Sequence, residues 1–303
     1  MKNKKILVTG GSGLVGKYLK DIMPNAIYLS SKDCDLRNYN QVEKLFKKYK
    51  PDVVVHLGAK IGGIISNIKY PVDYFNDNIL INTNVIICSH KYNVEQFIGI
   101  LSTCIFPDKV DVYPMKEEDM HLGPPTQTNF EYGYSKRCLS VQIDAYNKQF
   151  GKKWSYITPS NLYGIHDNFD NDEKAHFITA LIKKINDAIK NDDQYITLYG
   201  TGRPLRQFVY AGDFARVLKM VIENNITESF NFATEENLSI YEMANIAIKV
   251  SGANHIKIAF DSTKPDGQFR KDVSIEKFKT IFPDFKITKL EDGIKKTYES
   301  FKK

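Results

Sequence analysis

Short, nearly continuous apolar runs recur through the first half of the chain, and between them the apolar positions return every three or four residues. Residues 4–10 (KKILVTG), 25–30 (NAIYLS), 52–58 (DVVVHLG), 96–103 (QFIGILST) and 154–164 (WSYITPSNLYG) read as strands. Residues 13–23, 38–50, 71–93 and 131–151 read as helices. Pro51 stops the second of these, and Gly151 closes the fourth. Strands that are apolar at successive positions are buried on both faces. Alternation with helices therefore predicts an α/β fold, a doubly wound parallel sheet covered on both sides.

After residue 164 the pattern loosens. A helix is expected at 174–190, short strands near 195–199 and 206–210, and helices near 212–223, 239–251, 274–281 and 289–302. This half is too irregular for a second doubly wound sheet. The expected division is a Rossmann-type domain over 1–160 and a smaller mixed α/β substrate-binding lobe over 161–303, with part of 194–216 returning to the first domain. No internal repeat or low-complexity tract interrupts the chain.

Composition narrows the function classes. The net charge is +6, but lysines are scattered among acidic neighbours, so no basic stripe points to nucleic acid. A mild positive balance suits an anionic substrate. Cys34, Cys88, Cys104 and Cys138 form no C-x-x-C pair and match neither a zinc site nor a disulfide framework. No metal is expected, and the thiols predict a reducing, cytoplasmic setting. The N-terminal apolar run is too short for a signal peptide, and no stretch reaches the roughly 18 apolar residues of a membrane span.

The segment VTGGSGLVG sets Gly10, Gly13 and Gly16 in a G-x-x-G-x-x-G pattern, with Gly11, Ser12, Leu14 and Val15 between them. A strand precedes it and a helix follows. In that context glycines let the backbone approach a pyrophosphate at a helix N-terminus. The second strand ends in Ser30, Ser31 and Lys32. Hydroxyls and a cation suit a 2′-phosphate, so the cofactor predicted is NADP(H). Asp33, one residue on, would favour free ribose hydroxyls instead if the register shifts. Asp35 is placed to reach the adenine edge, or to cap the next helix.

Tyr132 and Lys136 stand at i and i+4 in EYGYSKR and share a helix face. An ammonium beside a phenol lowers its pKa and can also hold a ribose hydroxyl. A tyrosine tuned in this way can pass a proton to a carbonyl oxygen. Tyr134 is the rival, but its i+4 partner is Cys138. Ser102 ends the fourth strand. In LSTCIFPD the Phe-Pro breaks regular pairing, so Cys104 falls where strand becomes loop. Its residue type alone fits a small buried hydrophobe as well as a catalytic base.

The chain resembles the extended short-chain dehydrogenase/reductases and, within them, the GDP-L-fucose synthase family over nearly its whole length. The resemblance is carried by HLGAKIGGI, LSTCIFPD, GPPTQTNFEYGYSKR, SNLYGIHDNFD, HFITALI, YGTGRPLRQF and KPDGQFRK. It implies an NADPH-dependent 3,5-epimerase/4-reductase of GDP-4-keto-6-deoxy-D-mannose. Cys104 then matches the base and His176 the acid that invert C3 and C5. Ser102 would hold the C4 oxygen, Tyr132 would protonate it, and Lys136 would tune Tyr132. Leu101, Pro159, Ser160, Asn161, Leu162 and His176 are expected beside the cofactor. His166, the other histidine of that region, is expected to be structural.

Arg206 matches a substrate-binding arginine. Lys184 stands where the family usually carries Arg, and Tyr199 where many relatives carry Trp. Asp266 and Lys271 match positions near the nucleotide, with Asp266 accepting from guanine. Arg203 reads as a solvated charge. The tract NDEKAH departs from the family's small-residue lead-in to the acid. Helices 71–93 and 131–151 are expected to form a homodimer interface. Three other readings stay open: the same chemistry on another GDP-4-keto sugar such as a 6-deoxyheptose or dideoxy sugar; an NAD-dependent UDP-sugar 4-epimerase, which would not require Cys104 with His176; and a non-catalytic dinucleotide sensor.

Overall fold

Residues 4–169 and 176–302 are described by the computed structural model. The chain begins β1 (Ile6–Thr9), α1 (Leu14–Ile22), β2 (Ile27–Leu29), α2 (Tyr39–Tyr49) and β3 (Val53–His56). Val53, Val54 and Val55 are all fully buried, as a strand covered on both faces requires. The Asn38 side chain caps α2 by accepting the Gln41 N–H at 3.2 Å, and a left-handed Lys50 ends it ahead of Pro51. Then follow α3 (Ile64–Lys69), α4 (Pro71–Lys91), β4 (Gln96–Ile100), α5 (Phe130–Phe150), β5 (Ser155–Pro159) and β6 (Asn161–Tyr163). α4 has its proline in the first turn, where no intrahelical N–H is lost.

The second half runs α6 (Phe177–Asn191), β7 (Tyr195–Tyr199), β8 (Leu205–Arg206), β9 (Phe208–Tyr210), α7 (Ala211–Glu223) and β10 (Phe230–Phe232). It ends with β11 (Leu238–Ser239), α8 (Ile240–Ser251), β12 (Lys257–Asp261), α9 (Glu276–Ile281) and α10 (Leu290–Phe301).

The main sheet is six-stranded and parallel, in the order β10-β5-β4-β3-β1-β2. Strand order reverses between β1 and β3, and ligands of such sheets bind beyond the carboxyl ends of the strands at that point. The doubly wound parallel sheet expected from the apolar runs is therefore present. The predicted helices form with ends shifted by one or two residues, except that the 174–175 start of the fifth lies outside the described residues, as does most of the NDEKAH tract.

Two expectations need correction. The strand expected over 154–164 breaks at Ser160. Its N–H bonds Phe232, and the chain then crosses to pair β6 with β9. The segment expected near 206–210 is likewise two strands, β8 paired with β11 and β9 with β6. The chain rejoins the main sheet through β10, and α7, whose first residues fall within 194–216, packs on α1. β10 escaped the pattern because a polar Asn231, itself fully buried, separates its two phenylalanines. α3 escaped because Ile65 and Ile68 face solvent, leaving no buried apolar stripe. No helix among the described residues is long and apolar enough to cross a membrane.

Candidate active site

The glycine turn links β1 to α1. Gly10 has φ +68°, the left-handed region, and a Cβ there would meet the Gly58 nitrogen at 2.9 Å. At Gly13 a Cβ would meet only the Gly10 carbonyl oxygen, at 3.3 Å, so this side of the turn is open. No side chain caps α1 at Gly13. Ser12 and Gly13 are exposed at this mouth, Leu14 is half-buried, and Val15 packs into the core. An open glycine cradle before a helix N-terminus fits the pyrophosphate of a dinucleotide.

At the end of β2 the Asp33 carboxylate folds back, accepting the Ser30 N–H at 2.8 Å and its hydroxyl at 2.6 Å. Ser31 and Lys32 are exposed beside it. Asp35 is engaged by Arg37 through two bonds of 2.9 Å. Arg37 continues to Asp77 at 3.4 Å, and Asp77 to Lys60 at 2.9 Å. The Asp35 carboxylate thus ties the loop after β2 to α4 rather than standing free for adenine. Arg37, which the residue pattern did not single out, is its partner.

β4 leads into the reactive cluster. Leu101 prolongs the sheet by donating to Ile157 at 2.9 Å. Ser102 Oγ then accepts the Cys104 N–H at 3.3 Å, holding a tight turn over Thr103–Ile105. From α5, Lys136 enters the same strand end and donates to the Ile100 carbonyl at 3.0 Å. Burial pushes its pKa down to about 8. Tyr132, one turn earlier, has its pKa pushed up, chiefly by burial and then by the neighbouring Cys104, while hydrogen bonding to Ser102 acts the other way. The lowering expected from Lys136 is not among these influences.

Cys104 is half-buried, and Lys271 Nζ stands 3.7 Å from its sulfur. Burial lowers the Lys271 pKa, with Cys104 opposing. Arg206 is also near the sulfur; burial pushes its guanidinium down to about 10 despite Cys104 and Asp266. It donates to Leu205 at 2.7 Å. Ser102, Cys104, Tyr132, Arg206 and Lys271 therefore converge, although Arg206 and Lys271 come from distant sequence.

A buried polar chain stands behind them. Thr9 Oγ1 lies 2.8 Å from His56 Nδ1, His56 Nε2 lies 3.0 Å from Asn82 Oδ1, and Asn82 donates to the Ser135 carbonyl at 3.2 Å. Burial, followed by the Lys136 charge, pushes the His56 pKa down to about 3, so the ring is neutral. This chain fixes α5 to the strand that feeds the glycine turn. An apolar reading of DVVVHLG passes over it.

His176 forms a separate group at the start of α6. Its Nδ1 is 3.0 Å from both oxygens of Asp167, whose carboxylate also accepts the Thr179 hydroxyl. Burial works against the imidazolium, but the bond and charge of Asp167 outweigh it and raise the His176 pKa. Asp167 was legible only as part of the HDNF motif. His166 contacts Asp21 on α1 at 3.0 Å and packs on Tyr18.

Ser160 Oγ is buried without a hydrogen-bond partner, Asn161 donates to Gln207 at 2.9 Å, and Leu162 lies in β6. These follow Pro159 at the carboxyl end of β5. In the smaller lobe Lys184 lies 5.7 Å from the centre of the exposed Tyr199 ring and donates to Thr197 at 3.2 Å. Asp266 accepts the Thr201 N–H at 2.6 Å and its hydroxyl at 2.8 Å. Its carboxylate thus builds the turn after Tyr199. Arg203 is exposed.

Comparison with known proteins places this geometry. The family model described as the NAD dependent epimerase/dehydratase family matches residues 6–233. A GDP-L-fucose synthase of Dictyostelium discoideum is 40% identical over 98% of this chain and 95% of its own. The crystal structure of a GDP-L-fucose synthetase from Naegleria fowleri bound to NADP superposes with a TM-score of 0.89 at 36% identity, covering 99% of this chain and 93% of that one. A GDP-6-OMe-4-keto-L-xylo-heptose reductase from C. jejuni shares the fold, with a TM-score of 0.91 at 24% identity over 100% of this chain and 98% of that one.

Proposed function

The chain belongs to the NAD dependent epimerase/dehydratase family, and we propose that it acts there as a GDP-L-fucose synthase. It converts GDP-4-keto-6-deoxy-D-mannose to GDP-L-fucose by 3,5-epimerisation and NADPH-dependent 4-reduction. The observation that carries this reading is Cys104, two residues beyond Ser102, with the Lys271 ammonium 3.7 Å from its sulfur. Reduction alone needs the Ser102, Tyr132 and Lys136 set. A cysteine held against a cation on the same turn adds a base that reduction does not use.

The C4 ketone makes the hydrogens on C3 and C5 acidic, because the carbanion left behind is an enolate. The Cys104 thiolate takes the proton, with Lys271 as its counter-charge, and the electron pair moves to the C4 oxygen. Ser102 and Tyr132 hydrogen-bond that oxygen. His176 returns a proton to the opposite face of the same carbon, which inverts it and restores the ketone. The two centres are treated in turn. NADPH, when bound, supplies hydride to C4. Tyr132 delivers the proton to the C4 oxygen, and Lys136 holds the charge balance beside it. Arg206 and Lys184 are assigned to the diphosphate and Tyr199 to the base or sugar as an aromatic platform. For the cofactor, the open turn at Gly13 receives the pyrophosphate, and Ser31 with Lys32 receives the 2′-phosphate.

A homodimer belongs to the same reading. Leu80 and Ile87 lie one above the other on α4 and are exposed, and Val141 is exposed on the neighbouring α5. The α4–α5 pair is tied by Gln142 donating to Thr83 at 2.8 Å. A second copy would cover these positions. The unpaired thiols support a reducing, cytoplasmic setting for this reading, in which Cys104 stays reduced.

The test is to incubate the purified protein with GDP-4-keto-6-deoxy-D-mannose and either NADPH or NADH. Oxidation of NADPH in preference to NADH, with GDP-L-fucose as product, supports the assignment. Turnover of a UDP-hexose between its C4 epimers with bound NAD, and none of the GDP-keto sugar, would overturn it.

A further inference from the structure

Resting on this assignment, we infer that Asp167 is the positioning residue for the acid: it holds His176 by Nδ1, so that Nε2 is the nitrogen that delivers the proton to the sugar carbon. The geometry is a carboxylate–imidazole pair. Both Asp167 oxygens stand 3.0 Å from Nδ1, so that nitrogen carries the donated proton. The carboxylate is itself fixed. It accepts the Thr179 hydroxyl from the first turn of α6 and the Asn168 N–H at 2.9 Å. Its side chain is only 5% exposed, whereas that of His176 is 37% exposed and open to a substrate.

The loop carrying Asp167 is anchored in turn. Tyr18 of α1 accepts the Ile165 N–H at 2.9 Å, and Asp21 of α1 holds His166 at 3.0 Å. The pair is therefore braced by α6 on one side and by the helix that opens at the glycine turn on the other. A partly desolvated imidazole without a counter-charge loses its proton at lower pH, which would leave a poor acid. Among the described residues Asp167 is the charged group that acts on His176. Its negative charge keeps the imidazolium populated and is matched to the proton this step must give. Each inversion moves one proton to Cys104 and takes one from Nε2, and solvent exchanges both groups back to their starting state.

Asp167→Asn keeps the shape and removes the charge; Asp167→Glu restores charge with one more methylene. Two readouts are needed. The first is the His176 titration, followed through the imidazole carbon-bound protons by NMR and assigned with His176→Asn. In the wild type it should titrate above the ordinary histidine range, in Asp167→Asn below the wild type, and in Asp167→Glu nearer the wild type. The second is solvent deuterium entering C3 and C5 of the sugar. It should fall about 10²-fold in Asp167→Asn, the usual worth of a general acid, with its alkaline limb moved to lower pH, while NADPH binding is unchanged. An unmoved His176 titration, or full deuterium entry in Asp167→Asn, would overturn the inference. Loss of NADPH binding in that variant would do the same, since it would mark a structural role. A wild-type enzyme that admits no deuterium would instead count against the assignment of function.

Discussion

Lys136 carries an ammonium to a position only 3% exposed, with one carbonyl bond from Ile100 as its visible partner. Burial holds its pKa at about 8, against an ordinary 10.5. Between those values the unfolded chain binds the proton that the folded chain has released, so stability rises with pH across that window; below about 8 the buried charge costs its full amount. Replacing Lys136 with Met removes the charge and keeps the length. At pH 7 the variant should be more stable by about 1–3 kcal/mol, after allowing for the Ile100 carbonyl left unpaired. The advantage should shrink as pH rises from 8 to 10.5, and ketone reduction should be lost. Thermal melts of both proteins across that range check the sign, and a variant less stable at pH 7 would show that the ammonium is better satisfied than its surroundings imply. The same residue shows how function is bought with stability at this site.

Elements made of apolar runs were readable, because burial on both faces writes itself as Val53–Val54–Val55 or Gln96–Ile100. The glycine turn was readable for a related reason, and two of its glycines make separable predictions. A Cβ on Gly16 would fall 2.6 Å from the Gly11 backbone, so Gly16→Ala should cost about 1–3 kcal/mol of stability, the cost of overpacking. At Gly13 a Cβ would meet a single atom, the Gly10 carbonyl oxygen at 3.3 Å. Gly13→Ala should melt with the wild type yet bind NADPH more weakly by about 1–3 kcal/mol, because the methyl occupies the cradle. Calorimetric titration of NADPH and thermal melts on both variants separate the two effects; equal binding by Gly13→Ala would place the pyrophosphate elsewhere.

What the pattern hid was of a different kind. β10 is short and polar at its centre, α3 turns its isoleucines outward, and the Thr9–His56–Asn82 chain is polar inside an apolar run. The tie of Asp35 to Arg37, and of Asp266 to Thr201, depends on where loops fold back. Residue type and spacing do not carry that information. The Cys104–Lys271 contact joins residues 167 positions apart, and neither the residue pattern nor the resemblance, which puts Lys271 near the nucleotide, pairs the two.

At the scale of the whole molecule, the proposed active site draws on both halves of the chain. Ser102, Cys104, Tyr132 and Lys136 stand at the carboxyl ends of the parallel strands, Arg206 and Lys271 close over them from the second half, and His176 opens α6. The α4–α5 face lies on the outside of this arrangement. Leu80→Arg, placed on that face, should convert the proposed dimer to a monomer that still binds NADPH. Sedimentation of both proteins checks this, and a wild type that sediments as a monomer would remove the interface. The catalytic claim is tested most directly by running the reaction with GDP-4-keto-6-deoxy-D-mannose and NADPH in heavy water and locating deuterium in the product by NMR. GDP-L-fucose labelled at C3 and C5, with none from solvent at C4, is the predicted result. A C4-reduced sugar with unlabelled C3 and C5 would contradict it, leaving Cys104 and His176 without the proton transfers assigned to them.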